Sequence, residues 1–227
     1  MNVLIFGATG MVGQGVLREC LLDQRVQQVT VVGRSSTGQE HEKLREIVHP
    51  NLFDLSGLAP DLAAIDACFF CLGVSAAGMR EEAYAHLTYD LTLSVAEMLV
   101  RANPAMTFIY VSGTGTDSTE RGRAMWARVK GRTENAIMRL PFKASYMFRP
   151  GLILPMHGIK SRTTLYRVIY SATRPIWPLL RLLGPKWVTT TERVGNAMIT
   201  VAERGAPTRF LENADINAVA RESPNPA

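Results

Sequence analysis

Cysteine is scarce: three in 227 residues, an odd set that argues against a disulfide framework and for a reducing compartment. No stretch of about 18 uninterrupted apolar residues occurs, so no bilayer-spanning helix is expected. The apolar opening Met1–Phe6 has no basic segment before it, and glycines follow at once. No signal peptide is therefore read, and the cytoplasm is the default location. The histidines, His41, His49, His86 and His157, fall at no metal-ligand spacing, which makes a zinc site improbable and leaves no metal expected. Neither a Gly-x-Ser-x-Gly elbow nor a P-loop lysine is present, which removes hydrolase and kinase readings. Internal repeats and low-complexity tracts are also lacking.

What remains is ordinary globular composition, with 47% hydrophobic and 20% charged residues. A chain of this length buries about 70% of its unfolded surface and needs no metal to hold a core. Continuous apolar runs of the kind buried on both faces of a parallel sheet are read at Val3–Phe6, Val29–Val32, Ala67–Leu72, Thr107–Val111 and Tyr146–Phe148, with a weaker strand at Leu44–Val48. Helical spacing follows the first strand, where Val12, Val16 and Cys20 recur beside Leu17 and Leu21. It returns as one long amphipathic helix over Glu81–Ala102 and another over Ala124–Met138. The alternation predicts one doubly wound α/β domain over 1–227, strand order 3-2-1-4-5-6, with a candidate seventh strand at Arg209–Leu211. Cys68-Phe69-Phe70-Cys71 is formally a C-x-x-C, but residues three apart on a strand point to opposite faces and cannot bridge.

Gly7-Ala8-Thr9-Gly10-Met11-Val12-Gly13 stands directly after the first strand and opens the first helix. Its first glycine permits a tight turn, its second lets a pyrophosphate approach the backbone, and its third lets helix and strand pack closely. The helix amino end offers N–H groups and partial positive charge to phosphates. Thr9, Met11 and Val12 are read as cofactor contacts with the three glycines, and the pocket as lying at the carboxyl ends of the strands. An acid ending the second strand would bind the ribose 2′-hydroxyl of NAD. Here that place reads Gly33-Arg34-Ser35-Ser36, with no acid following in sequence until Glu40. A guanidinium can grip a 2′-phosphate, so Arg34 and Ser35 favour NADP(H), with NAD the lesser cofactor. An arginine on a solvated turn is the plain alternative. Asp54 stands either as a contact to the adenine amino group or as a loop carboxylate.

The glycine turn, Cys71-Leu72-Gly73 after the fourth strand and Phe148-Arg149-Pro150-Gly151 after the sixth resemble the atypical short-chain dehydrogenases/reductases. The likeness is strongest to the small NAD(P)-binding branch of the Tat-interacting oxidoreductase, and weaker to NmrA-like regulators and the epimerase/dehydratase group. It covers Met1 to Gly151 well and the remainder loosely. It implies a Rossmann fold, Leu72 and Gly73 at the cofactor, and oxidoreductase chemistry on a carbonyl or hydroxyl substrate. In active members a Tyr-x-x-x-Lys pair does the proton work, helped by a hydroxyl residue at the end of the fifth strand. Here the stretch is Trp126-Ala127-Arg128-Val129-Lys130. Lys130 matches and is expected at the nicotinamide ribose; Ser112 or Thr114 supplies the hydroxyl. Trp126 stands where tyrosine is expected, and an indole does not ionise near neutral pH. Trp126 packs on the nicotinamide in one reading and is an ordinary aromatic in the other. Tyr84, Tyr110 and His157 are proton donors without a motif. Catalytic silence, as an NADP(H) sensor or scaffold, is the rival function.

From Asn135 to Thr191 there is no acid but nine basic residues, while the formal charge of the whole chain is +5. Residues 151–185 within this block read as a substrate-side lobe. It suits an anionic small-molecule substrate, a peripheral membrane surface or a protein partner, and an oligomer is compatible with it. Without a reading helix or aromatic platform, nucleic acid is not expected as a partner. The end of the chain, 223–227, is expected to fray.

Overall fold

The computed structural model describes residues 1–159 and 184–222. Seven strands form one all-parallel sheet: β1 (Asn2–Phe6), β2 (Gln28–Gly33), β3 (Leu44–Val48), β4 (Ala67–Phe70), β5 (Thr107–Val111), β6 (Ala144–Arg149) and β9 (Phe210–Glu212). Their spatial order is β3-β2-β1-β4-β5-β6-β9, which includes the seventh strand at the expected place. Val3 pairs with Val29 on one side and with Ala67 on the other.

Period-two alternation divides the apolar strands between two cores. Val3, Ile5, Val29, Val31, Phe69, Ile109 and Phe148 face α1 (Met11–Leu22) and α6 (Thr191–Arg204). Leu4, Phe6, Val32, Phe70, Phe108 and Met147 face the opposite way, under α4 (Leu91–Ala102) and Ile137 of α5 (Met125–Arg139). Cys68 sits in the second core, whereas Cys71 packs on the first, so the C-x-x-C is split across the sheet as its strand geometry requires.

The structure departs from the periodicity in three places. The span Glu81–Ala102 is helical throughout but wider in the middle: α3 (Glu81–Ala85) passes through a π segment (His86–Asp90) before α4. Thr92 Oγ1 donates to the Thr88 carbonyl within that stretch. Strand β4 stops at Phe70, two residues early, because the chain leaves the sheet over the site described below. Finally, beyond the seventh strand, the carboxyl-terminal third holds further regular structure that the periodicity did not show. A two-stranded parallel sheet joins β7 (Leu152–Leu154) to β8 (Val188–Thr190), and α6 and α7 (Asn213–Arg221) complete the layer. A short helix, α2 (Ala59–Leu62), precedes β4.

Helices α1 and α6 approach closely because each carries a glycine at the crossing. A Cβ on Gly15 would sit 2.5 Å from Thr191 Cβ, and one on Gly195 would sit 2.7 Å from Glu19 Cγ. Thr190 caps α6, its hydroxyl accepting from the Arg193 amide at 3.1 Å. Most of the expected lobe at 151–185, including Lys160, Arg162, Arg167, Arg174 and Arg181, lies outside the described residues, as does 223–227.

Candidate functional site

The chain passes from β1 outward to β2 and β3, then crosses back to β4 on the other side of β1. Strand order reverses at that point, and a parallel sheet opens a crevice beyond its carboxyl ends there. The cleft found at this point holds about 740 Å³, within the range of small-molecule and cofactor sites. Gly7, Thr9, Gly10, Met11 and Val12 form its floor, Arg34 and Ser35 one end, and Leu72, Gly73, Ser112, Lys130 and Gly151 the other.

The turn is built so that only glycine fits at its ends. Gly7 has φ +81, and a Cβ there would lie 2.6 Å from the Leu72 amide nitrogen. A Cβ on Gly13 would lie 2.1 Å from the Gly7 carbonyl oxygen, so β1 and α1 could not close together. Gly13 thus shapes the turn without lining the cleft. The Gly10 amide donates to Gly7 O at 2.9 Å and tightens the loop. Gly10 is also the N-cap of α1, where no side chain caps the helix and no acid occupies its first turn. First-turn amides have no carbonyl within their own helix to bond, so they and the dipole face the cleft as an anion cradle. The backbone approach and the donor set both fit a dinucleotide diphosphate.

At the β2 end, Arg34 and Ser35 are exposed at the cleft edge. Counting along the sequence put the nearest following acid at Glu40. The sheet brings a different one, because Glu46 on β3 pairs with Val31. Its carboxylate accepts from Ser36 Oγ at 2.5 Å, from the Thr37 amide at 2.7 Å and from the Thr37 hydroxyl. Those bonds hold its carboxyl below the usual range, against the opposing effect of its partial burial. Glu46 therefore shapes the loop that carries Arg34. Asp54 is exposed and is not among the residues lining the cleft; Leu52 lines it instead.

At the β5 end, Ser112 is 6% exposed and lines the cleft. Thr114 is exposed, its hydroxyl donating to the Arg149 carbonyl at 3.0 Å, and it does not line the cleft. Lys130, on α5, lines the cleft, and its Nζ donates to the Ser112 carbonyl. Burial lowers its pKa to about 8, with the Glu134 carboxylate one helical turn on acting in the opposite direction.

Glu134 and Arg149 were not picked out as site residues from the sequence. Glu134 is fully buried; it accepts from Ser112 Oγ at 2.5 Å and from Arg149 through both Nε and Nη2. Arg149 also reaches Ser118 Oγ and Glu212 Oε1. The available signal was spacing: Glu134 lies four residues after Lys130, on the same helical face, and is the last acid before a long basic block.

Trp126 is 36% exposed, and its ring edge lies against Gly115, where an added Cβ would be 3.5 Å from Cη2. It is not a lining residue. Tyr84 and Tyr110 are buried off the cleft, and burial raises both phenols, Tyr110 strongly. His157 pairs with Glu192 at 3.1 Å, away from the cleft. Cys71 lines the cleft, but burial pushes its thiol up to about 12, so it is no nucleophile near neutral pH. Among the described residues there is no cluster suited to a metal, and no helix long and apolar enough to cross a membrane.

Residues 3–120 match the NAD dependent epimerase/dehydratase family. Rattus norvegicus protein HTATIP2 is 30% identical over 156 residues, 67% of this chain and 63% of that one. The Emericella nidulans protein fmp52, named mitochondrial, is 30% identical over 159 residues, 67% of this chain and 66% of its own. These matches thus span a little under two thirds of either relative. Among solved structures, Bordetella bronchiseptica WbmF in complex with NAD+ superposes with a TM-score of 0.65 at 17% identity, over 97% of this chain and 77% of the other.

Proposed function

This chain belongs to the NAD-dependent epimerase/dehydratase family, and from that premise we propose that it binds NADP(H) in the cleft between the glycine turn and Lys130. The carrying observation is the cradle itself: at Gly7 and Gly13 a side chain would strike backbone, while the uncapped start of α1 turns its amides to the cleft. Arg34 and Ser35 at the open end suit a 2′-phosphate, and the Glu46 carboxylate that would repel it is held by Ser36 and Thr37. Leu72 and Gly73 wall the other end of the cleft, where Lys130 donates toward the ribose. Asp54 lies too far along its loop to line the cleft, which favours its reading as a loop carboxylate.

When bound, the nicotinamide supplies or takes a hydride. Ser112 and Lys130 bring polar side chains to that end of the cleft, and together they orient a carbonyl or hydroxyl substrate. An oxidoreductase of the atypical short-chain group is the reading these residues support best. A second reading, a dinucleotide sensor without turnover, is favoured by one observation: among the described residues no tyrosine lines the cleft, and Trp126 leans on Gly115 instead. The few cysteines fit a reducing compartment, which the cytoplasm and the mitochondrial matrix both provide. An anionic substrate, a membrane surface or a protein partner is the reading for the basic 151–185 lobe, most of which lies outside the described residues.

Calorimetric titration with NADPH, NADP+, NADH and NAD+ tests the assignment. The phosphorylated pair is expected to bind at least about tenfold tighter, and Arg34→Ala to erase most of that margin. Equal affinities overturn the NADP(H) preference; no heat from any of the four overturns the site.

A further inference from the structure

Ser112 has one hydroxyl hydrogen and two neighbours able to receive it, Glu134 Oε1 at 2.5 Å and the Phe148 carbonyl at 3.2 Å. Neither neighbour can donate in return. The Phe148 oxygen is a backbone carbonyl, and each Glu134 oxygen already accepts an N–H group of Arg149. Arg149 is itself pinned by Glu212 on β9 and by Ser118, with its guanidinium over the Phe210 ring. The serine hydrogen is thereby turned into the protein, away from the cleft that Ser112 lines.

We propose that Glu134, clamped by Arg149, is a positioning residue that makes Ser112 a hydrogen-bond acceptor toward the cleft, so that the site selects a ligand hydroxyl over a carbonyl. This rests on the nucleotide reading above and names the class of the second ligand. Lys130 completes the selection. It spends one N–H on the Ser112 carbonyl and keeps two for the cleft. A donor and an acceptor so close together match a group that both accepts and donates. An alcohol does both. A ketone satisfies Lys130 but leaves the serine oxygen facing another acceptor, and an unmatched polar pair in a closed site is costly.

The test uses the full chain saturated with NADP+ and a matched pair of probes, cyclohexanol and cyclohexanone, compared by ligand-observed NMR. The alcohol is expected to bind about tenfold more tightly, the effect of roughly one hydrogen bond. Glu134→Gln keeps the shape but can donate an amide hydrogen to Ser112 Oγ. It frees the serine hydrogen for the cleft and is expected to reverse the preference, while Ser112→Ala abolishes it. A readout without any second ligand runs beside this one. The Ser112 hydroxyl hydrogen is expected as a slowly exchanging downfield proton resonance, absent from Ser112→Ala and shifted upfield in Glu134→Gln. Equal affinity, a ketone preference, or neither probe held while NADP+ still binds overturns the proposal. Loss of NADP+ binding to the native chain overturns the nucleotide reading instead, and the hydroxyl resonance then decides the orientation of Ser112 alone.

Discussion

Lys130 shows how one side chain can be recognised from a family motif while its chemistry depends on surroundings. Its match to the lysine of the Tyr-x-x-x-Lys pair in the family this chain resembles singles it out; burial under the cleft wall gives it a pKa of about 8, against an ordinary 10.5. Its charged form is the disfavoured one, so the folded protein releases this proton before the unfolded chain does. Between about pH 8 and 10.5 the unfolded chain binds more protons, and stability from this residue rises with pH. The slope is at most about 1.4 kcal/mol per pH unit. In urea unfolding at pH 7.5, 8.5 and 9.5 the stability difference between the native chain and Lys130→Met is expected to grow with pH, while the buried Cys20, Cys68 and Cys71 thiols pull both chains the other way. The same variant is expected to weaken NADPH binding about tenfold, because it removes a donor from the ribose end. Unchanged affinity would place Lys130 outside the nucleotide site.

Whole elements were read from the sequence where their burial was uniform. Strands β1, β2, β4, β5 and β6 have buried, largely apolar centres because helices cover both faces of the sheet, and such runs stand out without any context, whereas the edge strand β3, with Arg45 and Glu46, gives a weaker signal. Helices α6 and α7 were missed, although Val194, Ala197, Met198 and Val201 fall at helical spacing and Thr190 is a good cap. The short strands β7 and β8, three residues each, carry too little pattern to be seen alone. The crossing of α1 and α6 is a contact between distant parts of the chain, so no local pattern announces it. There Gly195→Val would drive two methyl groups into the Glu19 side chain and the Gly15 carbonyl. We expect a loss of about 1–3 kcal/mol in urea unfolding, as for overpacked cores, with the helix content by circular dichroism kept. A neutral substitution would mean that the two helices are free to separate.

For the molecule as a whole, ligand binding and folding are linked. The cleft draws residues from α1, β2, β5, α5 and β7 and from the loops that follow β1, β4 and β6, so the nucleotide is expected to hold the sheet and its helices together. NADPH at one hundred times its dissociation constant should add about 2.7 kcal/mol to stability. In a chain of this size that amounts to roughly 5–10 °C in the melting temperature. Scanning calorimetry checks it, and the shift should grow with the logarithm of NADPH concentration. An unmoved transition at that concentration would mean binding equally to the unfolded chain, which a folded cradle forbids.

The order of the strands, the glycine turn and the opposed faces of Cys68 and Cys71 were legible in the sequence, because they follow from strand–helix alternation, from periodicity or from residues adjacent in the chain, while Lys130 was picked out through the family resemblance. That Ser112 rather than Thr114 lines the cleft, that Trp126 lies off it, and which groups Glu46, Glu134 and Arg149 bond were decided only by tertiary structure. Each of those depends on which hydrogen-bonding partner another strand or helix brings within about 3 Å, and the strength of such a bond vanishes over distances shorter than any sequence pattern resolves.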